Sequence, residues 1–407
     1  LAALPAAAAR RAAEGAWLAY GAPAELLRLR DEALRREAGE RAALAGKLAA
    51  GSAAALSAPH DDASLQAWIE QTHGALRRER PDLFDLKMRK AAADNAAFYR
   101  AFPQLFYRLL AESPDALALA ATPRLRLAGD LHAENAEVVA RQKTRVPQVN
   151  DFDDTTVAPA GLEAARAFVG AAFLGRGAAE ARGLFQEARA AYRRALKQTF
   201  KEWAATVSQE AAVAGAEPKK RHWRRDAGPA LSEPEASAAR ALAGLGPQWE
   251  ARHREGAGLS SIGVRRSLFV QAEREEAWDL KELREEPAMA AFPGAFEPGE
   301  AADRRVALAY QNLRRVPVAM RAVASAGTGW LARERQGKEA ALNLRSRASA
   351  ARALAGLAAQ VHRGQGASAQ ALAESAQSLS PEVAEQIMAR LKDLRAALAR
   401  LLESGNW

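Results

Sequence analysis

Most of this 407-residue chain repeats Ala, Leu, Arg and Glu at helical spacing, and two long segments, 124–154 and 248–286, break that rhythm. Ala favours helix strongly, and Leu residues three or four positions apart form one apolar helix face. Inside the two segments, short runs such as RLRL, AEVVAR and SLFVQ are typical of strands. The sequence therefore predicts an α+β protein that is mostly helical, with strands in the two segments.

The same pattern predicts four parts along the chain. Residues 1–60 are predicted to form an Ala-rich helical extension, and residues 61–247 a helical lobe with a catalytic loop and a metal-binding hairpin. A small β-rich lobe is predicted at 248–290, and a C-terminal helical region at 291–407. Hydrophobic residues make up 49% of the chain, which is enough for a substantial core. The sequence has no run of 18 apolar residues, so no membrane span is predicted.

The formal net charge of +9 favours anionic partners, which include nucleotides, phosphorylated substrates, nucleic acid and acidic lipid. The lack of Cys excludes disulfides and thiol chemistry, and it leaves the redox compartment open. A cytoplasmic location is expected, while the start at Leu1, without a Met, keeps an exported form open. A basic run with a Trp inside, at 219–225, predicts either a phosphate-binding loop or a merely exposed one.

A hairpin is predicted in the first segment, where AEVVAR and VPQVND are strand-like runs joined by QKT. Because a hairpin brings its open ends together, Asn135 and Asp151 should meet although 16 positions separate them. An amide oxygen beside a carboxylate suits a hard, oxygen-seeking cation such as Mg²⁺. Asn135 and Asp151 are therefore candidate metal ligands.

Asp130 precedes Asn135 by five residues, which is the spacing of the kinase catalytic loop. In that loop the Asp orients the attacking hydroxyl and the Asn holds metal, while a later Asp holds the metal that bridges the phosphates. Asp130 is thus the candidate catalytic residue, and Asp151 has the later position. The alternative is an acidic turn whose side chains cap nearby backbone. A zinc site is not predicted, because His132 has no second His at metal-binding spacing.

A glycine-rich run, GAGLSSIG, lies just ahead of the SLFVQ strand. Glycine lets backbone N–H groups approach phosphate oxygens closely. Four residues of this run are candidate nucleotide-binding residues: Gly258, Ser260, Ser261 and Gly263. Lys281 lies on the next predicted strand, where a kinase-type lysine reaches phosphate. An ordinary turn followed by a surface lysine is the alternative. These features follow Asp130 by more than 100 residues, so a kinase-like site requires lobes in permuted order.

GDLHAEN and VNDFDD match the GDxHxxN and NDFD motifs of the bacterial domain-of-unknown-function family 2252, and the chain resembles that family over residues 85–370. The family is grouped with kinase-like folds and the aminoglycoside phosphotransferases. Looser matches follow in the same order and include GLSSIGVRRSLFV, DLKEL, GTGWLARERQGK and LAAQVHRG. The resemblance implies a two-lobed kinase-like fold in which the catalytic lobe precedes the lobe with the glycine-rich loop and the lysine.

The resemblance also implies a role for each residue that matches a motif. Asp130 would be the catalytic residue, and Lys281 would contact phosphate. Asn135 and Asp151 would be metal ligands, with Asp153 as a helper. Five more residues match family positions to which we assign no role: His132, Arg166, Arg333, Lys338 and His362.

Together these features predict an ATP- and Mg²⁺-dependent phosphotransferase that acts on an unknown small-molecule or protein acceptor. AMP transfer stays open, because a kinase-like pocket can hold ATP in more than one orientation. Ser260 replaces a usual Gly, Glu163 replaces a usual Asp, and Lys281 has no identified Glu partner. A nucleotide-binding module without catalysis is therefore the first alternative. A helical nucleic-acid-binding protein is the second, and nucleic acid is the partner expected least.

Overall fold

The computed structural model describes most of the chain from Ser57 onward. The described ranges are 57–141, 144–213, 226–254, 259–296, 299–335, 339–341, 344 and 346–405, with six single residues between 32 and 46. The chain divides into two units, 1–56 and 57–407, and the second contains every element named below. Four predicted features lie largely or wholly outside the described residues: the extension at 1–60, the basic run at 219–225, Gly258 and Lys338.

Thirteen α-helices are formed by the described residues. In chain order they are α1 Asp62–Glu79, α2 Pro81–Ala92, α3 Asn95–Ala101, α4 Pro103–Ala111, α5 Ala116–Ala120, α6 Ala160–Ala172, α7 Ala178–Ala195, α8 Phe200–Val213, α9 Glu233–Ala243, α10 Ala302–Asn312, α11 Arg347–Arg363, α12 Ala369–Ser375 and α13 Pro381–Ser404. Several begin at encoded caps, and Asp61, for example, accepts a hydrogen bond from the Ser64 N–H at the start of α1. Among these helices, none has the length and apolar composition that crossing a membrane requires.

Helix α6 is the buried centre of the helical part, and all 13 of its residues are buried. It packs against α7 and α11, and its many Ala and Gly residues let neighbouring side chains approach closely. Gly170, for example, lies against the Tyr99 ring. The two charged residues of α6, Glu163 and Arg166, are fully buried. Each therefore needs a polar partner, and both partners belong to the site described below.

Eleven β-strands are found among the described residues. They are β1 Arg124–Leu127, β2 Ala136–Arg141, β3 Thr144–Val149, β4 Thr156–Pro159, β5 Ala227–Ala230, β6 Glu250–Arg254, β7 Arg266–Gln271, β8 Glu276–Leu283, β9 Met320–Ser325, β10 Thr328–Glu334 and β11 Glu339–Ala341. They form three sheets: β1 with β4, a three-stranded sheet β11-β2-β3, and a six-stranded sheet β5-β6-β7-β8-β10-β9. The predicted strands SLFVQ and WDLKEL are β7 and β8, and the mostly helical α+β class is confirmed.

The six-stranded sheet is antiparallel throughout. Helix α9 covers one of its faces, where Ala236 and Ala243 pack with Phe269 and Leu280. Because side chains alternate along a strand, Lys281 lies on the opposite face from Leu280. The lysine is thereby directed away from α9.

Strand β9 corrects the prediction that 291–407 is helical apart from the interruption at GTGWLARERQGK, and β10 lies inside that interruption. The two strands turn at Ala326 and Gly327, whose φ angles are +49° and +75°. Glycine adopts this left-handed backbone at little cost. Pairing of β9 with β10, which itself pairs with β8, outweighs the helix propensity of the run MRAVAS. The sheet therefore extends beyond the predicted lobe at 248–290, on the other side as well through β5.

Strands β2 and β3 pair antiparallel, with Ala136 opposite Val149, which confirms the predicted hairpin. Strand β1 pairs with β4, with Leu127 opposite Thr156. The β1–β4 pair therefore holds the two ends of residues 128–155 together. The candidate catalytic residue and all of the candidate metal ligands lie within these residues.

Candidate active site

One cleft is lined by residues from both non-helical segments. Its walls are formed by Asp130, Asn135, Asp151, Asp153, Asp154, Ser261, Val264, Glu282 and Arg284. The candidate catalytic residue, the candidate metal ligands and one residue of the glycine-rich run thus share a concave surface. Clefts with several convergent polar groups are the usual location of binding sites.

Lys281 connects the two segments. Its Nζ lies 3.4 Å from Oδ2 of Asp151 and also contacts Asp153. The Lys281 side chain is 7% exposed, and this burial lowers the pKa of Lys281 although Asp151 opposes the change. Burial would raise the pKa of Asp151, but Lys281, Arg333 and Arg266 together hold it below its usual value. Asp151 is therefore a carboxylate at neutral pH and is available to a cation.

Asp130 is buried and is held by one arginine. Arg166 donates from Nε and Nη2 to Oδ1 of Asp130, over 3.0 and 2.6 Å. Nε2 of His132 lies 3.6 Å from Oδ2, and the Arg166 guanidinium stacks 3.7 Å from the Tyr99 ring centroid. Burial opposes ionisation of Asp130, but Arg166 and His132 hold its pKa well below the usual value. Asp130 is thus ionised at neutral pH, and it suits orienting a hydroxyl better than removing its proton.

Gly129 fixes the backbone immediately before Asp130. Its N–H donates to Oε1 of Glu163 over 2.8 Å, and its carbonyl accepts from the Tyr107 hydroxyl over 2.6 Å. Its φ is +92°, and a Cβ built at this position would lie 1.8 Å from the Asp154 carbonyl oxygen. Only glycine fits here, and buried partners hold both of its backbone polar groups.

Glu163 anchors this loop to the helical core. Its Oε2 lies 2.9 Å from Nε2 of His362, and the Tyr192 hydroxyl lies 2.7 Å from Nδ1 of the same ring. Both Glu163 and His362 are fully buried. A continuous hydrogen-bonded chain therefore runs from α7 through α11 and α6 to Gly129. This chain gives the family-matched His362 a position in the architecture, behind the loop and outside the cleft.

Replacing Glu163 with Gln should destabilise the fold and loosen the loop. Both oxygens of Glu163 accept hydrogen bonds, whereas Gln offers one acceptor and one donor. Gln can serve the Gly129 N–H and His362 together only if the His362 ring changes tautomer, and the charged acceptor is lost in either case. We expect a loss of about 1–3 kcal/mol in the free energy of unfolding and faster amide exchange at Gly129. Urea denaturation and hydrogen exchange measure these effects.

The control for this variant is Glu385→Gln, which breaks an exposed ion pair with Arg182. That change should cost less than about 1 kcal/mol and leave exchange at Gly129 unaltered. Equal costs and equal exchange rates for the two variants would show that Glu163 does not anchor the loop.

The hairpin brings Asn135 beside the start of the NDFDD run. The N–H of Asn150 donates to the Asn135 carbonyl over 3.1 Å, and Nδ2 of Asn135 donates to the Asp130 carbonyl over 2.8 Å. The amide oxygen of Asn135 and the carboxylates of Asp151 and Asp153 are hard donors of the kind that Mg²⁺ prefers. Within the described part of the chain, no three His, Asp or Glu side chains form a ready metal site, and these two carboxylates contact an ammonium group instead.

Arg333, for which the sequence assigns no role, lies at the junction of sheet and hairpin. Its Nη1 donates to the Asn150 carbonyl over 2.7 Å and to the Tyr310 hydroxyl over 2.8 Å. On the sheet it lies opposite Asp279, two positions before Lys281. Arg333 thus links β10 to the residue that precedes Asp151.

The described part of the glycine-rich run reaches the cleft through Ser261, which is buried. Gly263 has a φ of +92°, and its missing side chain leaves room for Leu76 of α1. Its observed role is therefore in turning and packing. Three predicted site residues lie partly or wholly outside the described residues: Gly258, Ser260 and Lys338.

Two charged residues were missed by sequence reasoning: Asp154, which lines the cleft, and Lys87, which lies near the charges of Asp154 and Arg284. Asp154 accepts a hydrogen bond from the Ala288 N–H over 2.7 Å, and burial raises its pKa. Lys87 of α2 is 1% exposed, and burial together with the charge of Arg284 lowers its pKa to about 7. The position of Asp154 in the NDFDD run could have indicated that it belongs to the site. Lys87 looks like an ordinary helical lysine, and only its burial distinguishes it.

The fold and the site define an α+β protein whose candidate site joins two distant segments around a buried Asp, a lysine and paired carboxylates. The profile of a family described as uncharacterised proteins conserved in bacteria (DUF2252) matches residues 78–328. Since the match covers more than half of the chain, the chain belongs to this family. No curated protein and no solved structure matches the chain.

Proposed function

We propose that this protein is an ATP- and Mg²⁺-dependent phosphotransferase with a kinase-like site whose lobes occur in permuted order. One observation carries the proposal: Lys281 contacts Asp151 and Asp153 beside the cleft that also contains Asp130. Phosphoryl transfer needs a cation on the phosphates, carboxylates for the metal and an Asp that faces the nucleophile. The acceptor in this proposal is a small molecule or a protein that bears a hydroxyl group.

In the proposed reaction, Asp130 accepts a hydrogen bond from the acceptor hydroxyl and orients it. Because Arg166 keeps Asp130 ionised, the contribution of this carboxylate is positioning rather than strong proton abstraction. Lys281 donates to the phosphate oxygens of the nucleotide. Asn135 and Asp151, with Asp153 as a helper, would hold Mg²⁺, which neutralises charge on the phosphates.

Mg-ATP is expected to raise the Tm of the wild-type protein, and Asp151→Asn should remove most of this shift. A ligand that binds only the folded state stabilises it, by about 3–5 °C in Tm at roughly 100 times its Kd. Asn keeps the shape of Asp151 but loses the charge that binds the cation. Thermal unfolding with and without Mg-ATP measures the shift for each protein separately.

Asp393→Asn is the matched control, because Asp393 is exposed on α13 and does not line the cleft. This variant should keep the wild-type shift. A wild-type Tm that does not respond to any nucleotide with Mg²⁺ or Mn²⁺ would overturn the proposal.

A nucleotide-binding module without catalysis is the second candidate. It is favoured by the contacts of Asp130, since Arg166 and His132 together approach both oxygens of its carboxylate. Doubly labelled ATP separates the candidates. Movement of the γ label to an acceptor supports phosphotransfer, movement of the α label supports AMP transfer, and binding without either supports the module.

A further inference from the structure

The face of the six-stranded sheet opposite α9 carries a group of arginines. This surface, the arginine face, consists of Arg254, Arg266, Arg333 and Arg335 around Asp279. In the sheet register, Arg266 lies opposite Lys281 and Arg333 lies opposite Asp279. Directly opposed residues of neighbouring strands share a face. The arginine face is therefore on the same side of the sheet as the lysine of the candidate site.

Positive charge exceeds negative charge within this group. Asp279 is contacted by Arg254 and, over 3.1 Å, by Arg266. Asp226 is contacted by Arg254 over 3.5 Å and by Arg335 over 3.2 Å. Three arginines thus share two carboxylates, and none of the three side chains is more than 8% exposed. Burial lowers the pKa of Arg254 to about 10, as expected where a buried cation is incompletely neutralised.

Three buried N–H groups of the arginine face have no acceptor among the residues that the structure describes. They are the Nε groups of Arg254, Arg266 and Arg335, and among the described residues Oδ1 of Asp279 is the unpaired acceptor within this group. Buried polar groups in native proteins are paired in the great majority of cases. With three unpaired donors and one unpaired acceptor, this group has donors to spare for the oxygens of an added anion.

The arginine face continues toward the carboxylates of the site. Asp279 and Lys281 are two positions apart on β8, which is about 7 Å along a strand. Arg333 donates to the carbonyl of Asn150, the residue before Asp151. A ligand that extends from Asp151 past Lys281 would therefore meet the arginine face on the same side of the sheet.

We propose that the arginine face binds a phosphate group, or a short polyphosphate chain, of a ligand whose other end lies at Lys281. Guanidinium groups bind phosphate through paired N–H donors, and burial strengthens such bonds. The biological meaning of this site rests on the proposed phosphotransfer, since the phosphate would belong either to the nucleotide or to a phosphorylated acceptor. Anion binding itself requires neither Mg²⁺ nor transfer.

Calorimetric titration of the full chain with pyrophosphate in EDTA tests this site. The wild-type protein should bind, and Arg266→Gln should weaken binding by about tenfold or more, because it removes a charged donor. Arg274→Gln removes the same charge in the exposed turn between β7 and β8, at a residue that does not line the cleft. This control should bind like the wild type. Equal affinities of the two variants, or no binding by the wild type, would overturn the proposal.

Asp226→Asn tests the site in the opposite direction and with less risk to folding, since the Asp226 side chain is 22% exposed. Loss of this carboxylate removes the acidic partner of Arg335 and leaves Arg254 with Asp279 alone, so both arginines can donate to an added anion. Pyrophosphate should then bind about fivefold more tightly than to the wild type. Unchanged or weaker binding would instead indicate an ion network with a structural role alone.

Competition identifies the source of the phosphate. Displacement of pyrophosphate by metal-free ATP would assign the arginine face to the nucleotide, and simultaneous binding would assign it to the acceptor. These titrations contain no Mg²⁺, whereas the Asp151→Asn thermal experiment depends on it. A failed anion site and a failed phosphotransferase are therefore distinguishable.

Discussion

Replacement of Arg166 by Met is expected to lower the free energy of unfolding by about 3–5 kcal/mol at neutral pH. Arg166 is fully buried and donates twice to Asp130. Met retains much of the side-chain volume but has no charge, so Asp130 would remain as a buried carboxylate without a compensating cation. The stacking of the guanidinium on Tyr99 would also be lost. Urea denaturation measures the change.

The cost of Arg166→Met in the free energy of unfolding should fall as the pH is lowered. In the wild type, burial is outweighed by Arg166 and His132, and the pKa of Asp130 lies well below its usual value. Its contribution to stability is therefore fully present above about pH 4, the ordinary Asp pKa, and is lost as the pH falls below that value. In Arg166→Met, burial raises the pKa of Asp130 instead. The penalty of the variant should then be largest at neutral pH and should shrink as acid protonates the carboxylate.

A double-mutant cycle controls for the change in shape. Asp130→Asn alone leaves Arg166 without its carboxylate, while the double variant removes both charges. The double variant should be more stable than the sum of the single losses predicts, because no unpaired buried charge remains. A cost of Arg166→Met below about 1 kcal/mol, or a cost that grows in acid, would show that Arg166 does not hold Asp130.

The elements that the sequence predicted well are local ones. The β2–β3 hairpin and the β7–β8 pair each lie within about 20 residues, and alternation of side chains indicates both. The convergence of Lys281 on Asp151 is different in kind. It spans 130 positions, and it was implied only by the likeness of both segments to a kinase site and by the family resemblance, because no local pattern specifies a contact of that range. The roles of these residues stay predictions.

Strand β9 could not be predicted, because its local pattern favours a different structure. The run MRAVAS is Ala-rich, and by local propensity it favours helix. It becomes a strand because β10 pairs with the edge of β8, and β9 then pairs with β10. The edge that decides this outcome lies some 40 residues earlier in the chain. A local interpretation of the sequence contains no information about it.

The roles of the anchors behind the Asp130 loop could not be assigned from the sequence, because a helical pattern does not show which charges are buried. Glu163, Arg166 and His362 lie on α6 and α11, at positions that look solvated in a chain with this many charges. One signal was present in AGLEAARAFVGAA, where two charged residues interrupt a run that is otherwise small or apolar. A helix of that composition is buried on all sides, so its charges must have partners.

Gly129→Ala is expected to cost about 3 kcal/mol or more in the free energy of unfolding. The backbone of Gly129 has a φ of +92°, which costs an L-residue about 1–2 kcal/mol. The added Cβ would also lie 1.8 Å from the carbonyl oxygen of Asp154, a backbone atom that cannot rotate away. Relief requires the loop to move, yet Glu163 and Tyr107 hold both polar groups of Gly129. The proposed nucleotide binding should weaken together with stability, because the candidate metal ligand Asn135 donates to the Asp130 carbonyl and moves with this loop.

Gly366→Ala separates the two causes of this loss. Gly366 has a φ of +87°, and a Cβ there would meet nothing within 4 Å. This control should therefore cost only the backbone penalty of about 1–2 kcal/mol and leave ligand binding unchanged. The excess cost of Gly129→Ala over Gly366→Ala then measures the close approach between Gly129 and Asp154. If that excess is zero, the approach does not constrain the loop, and the orientation of Asp130 must come from its contacts with Arg166 and His132.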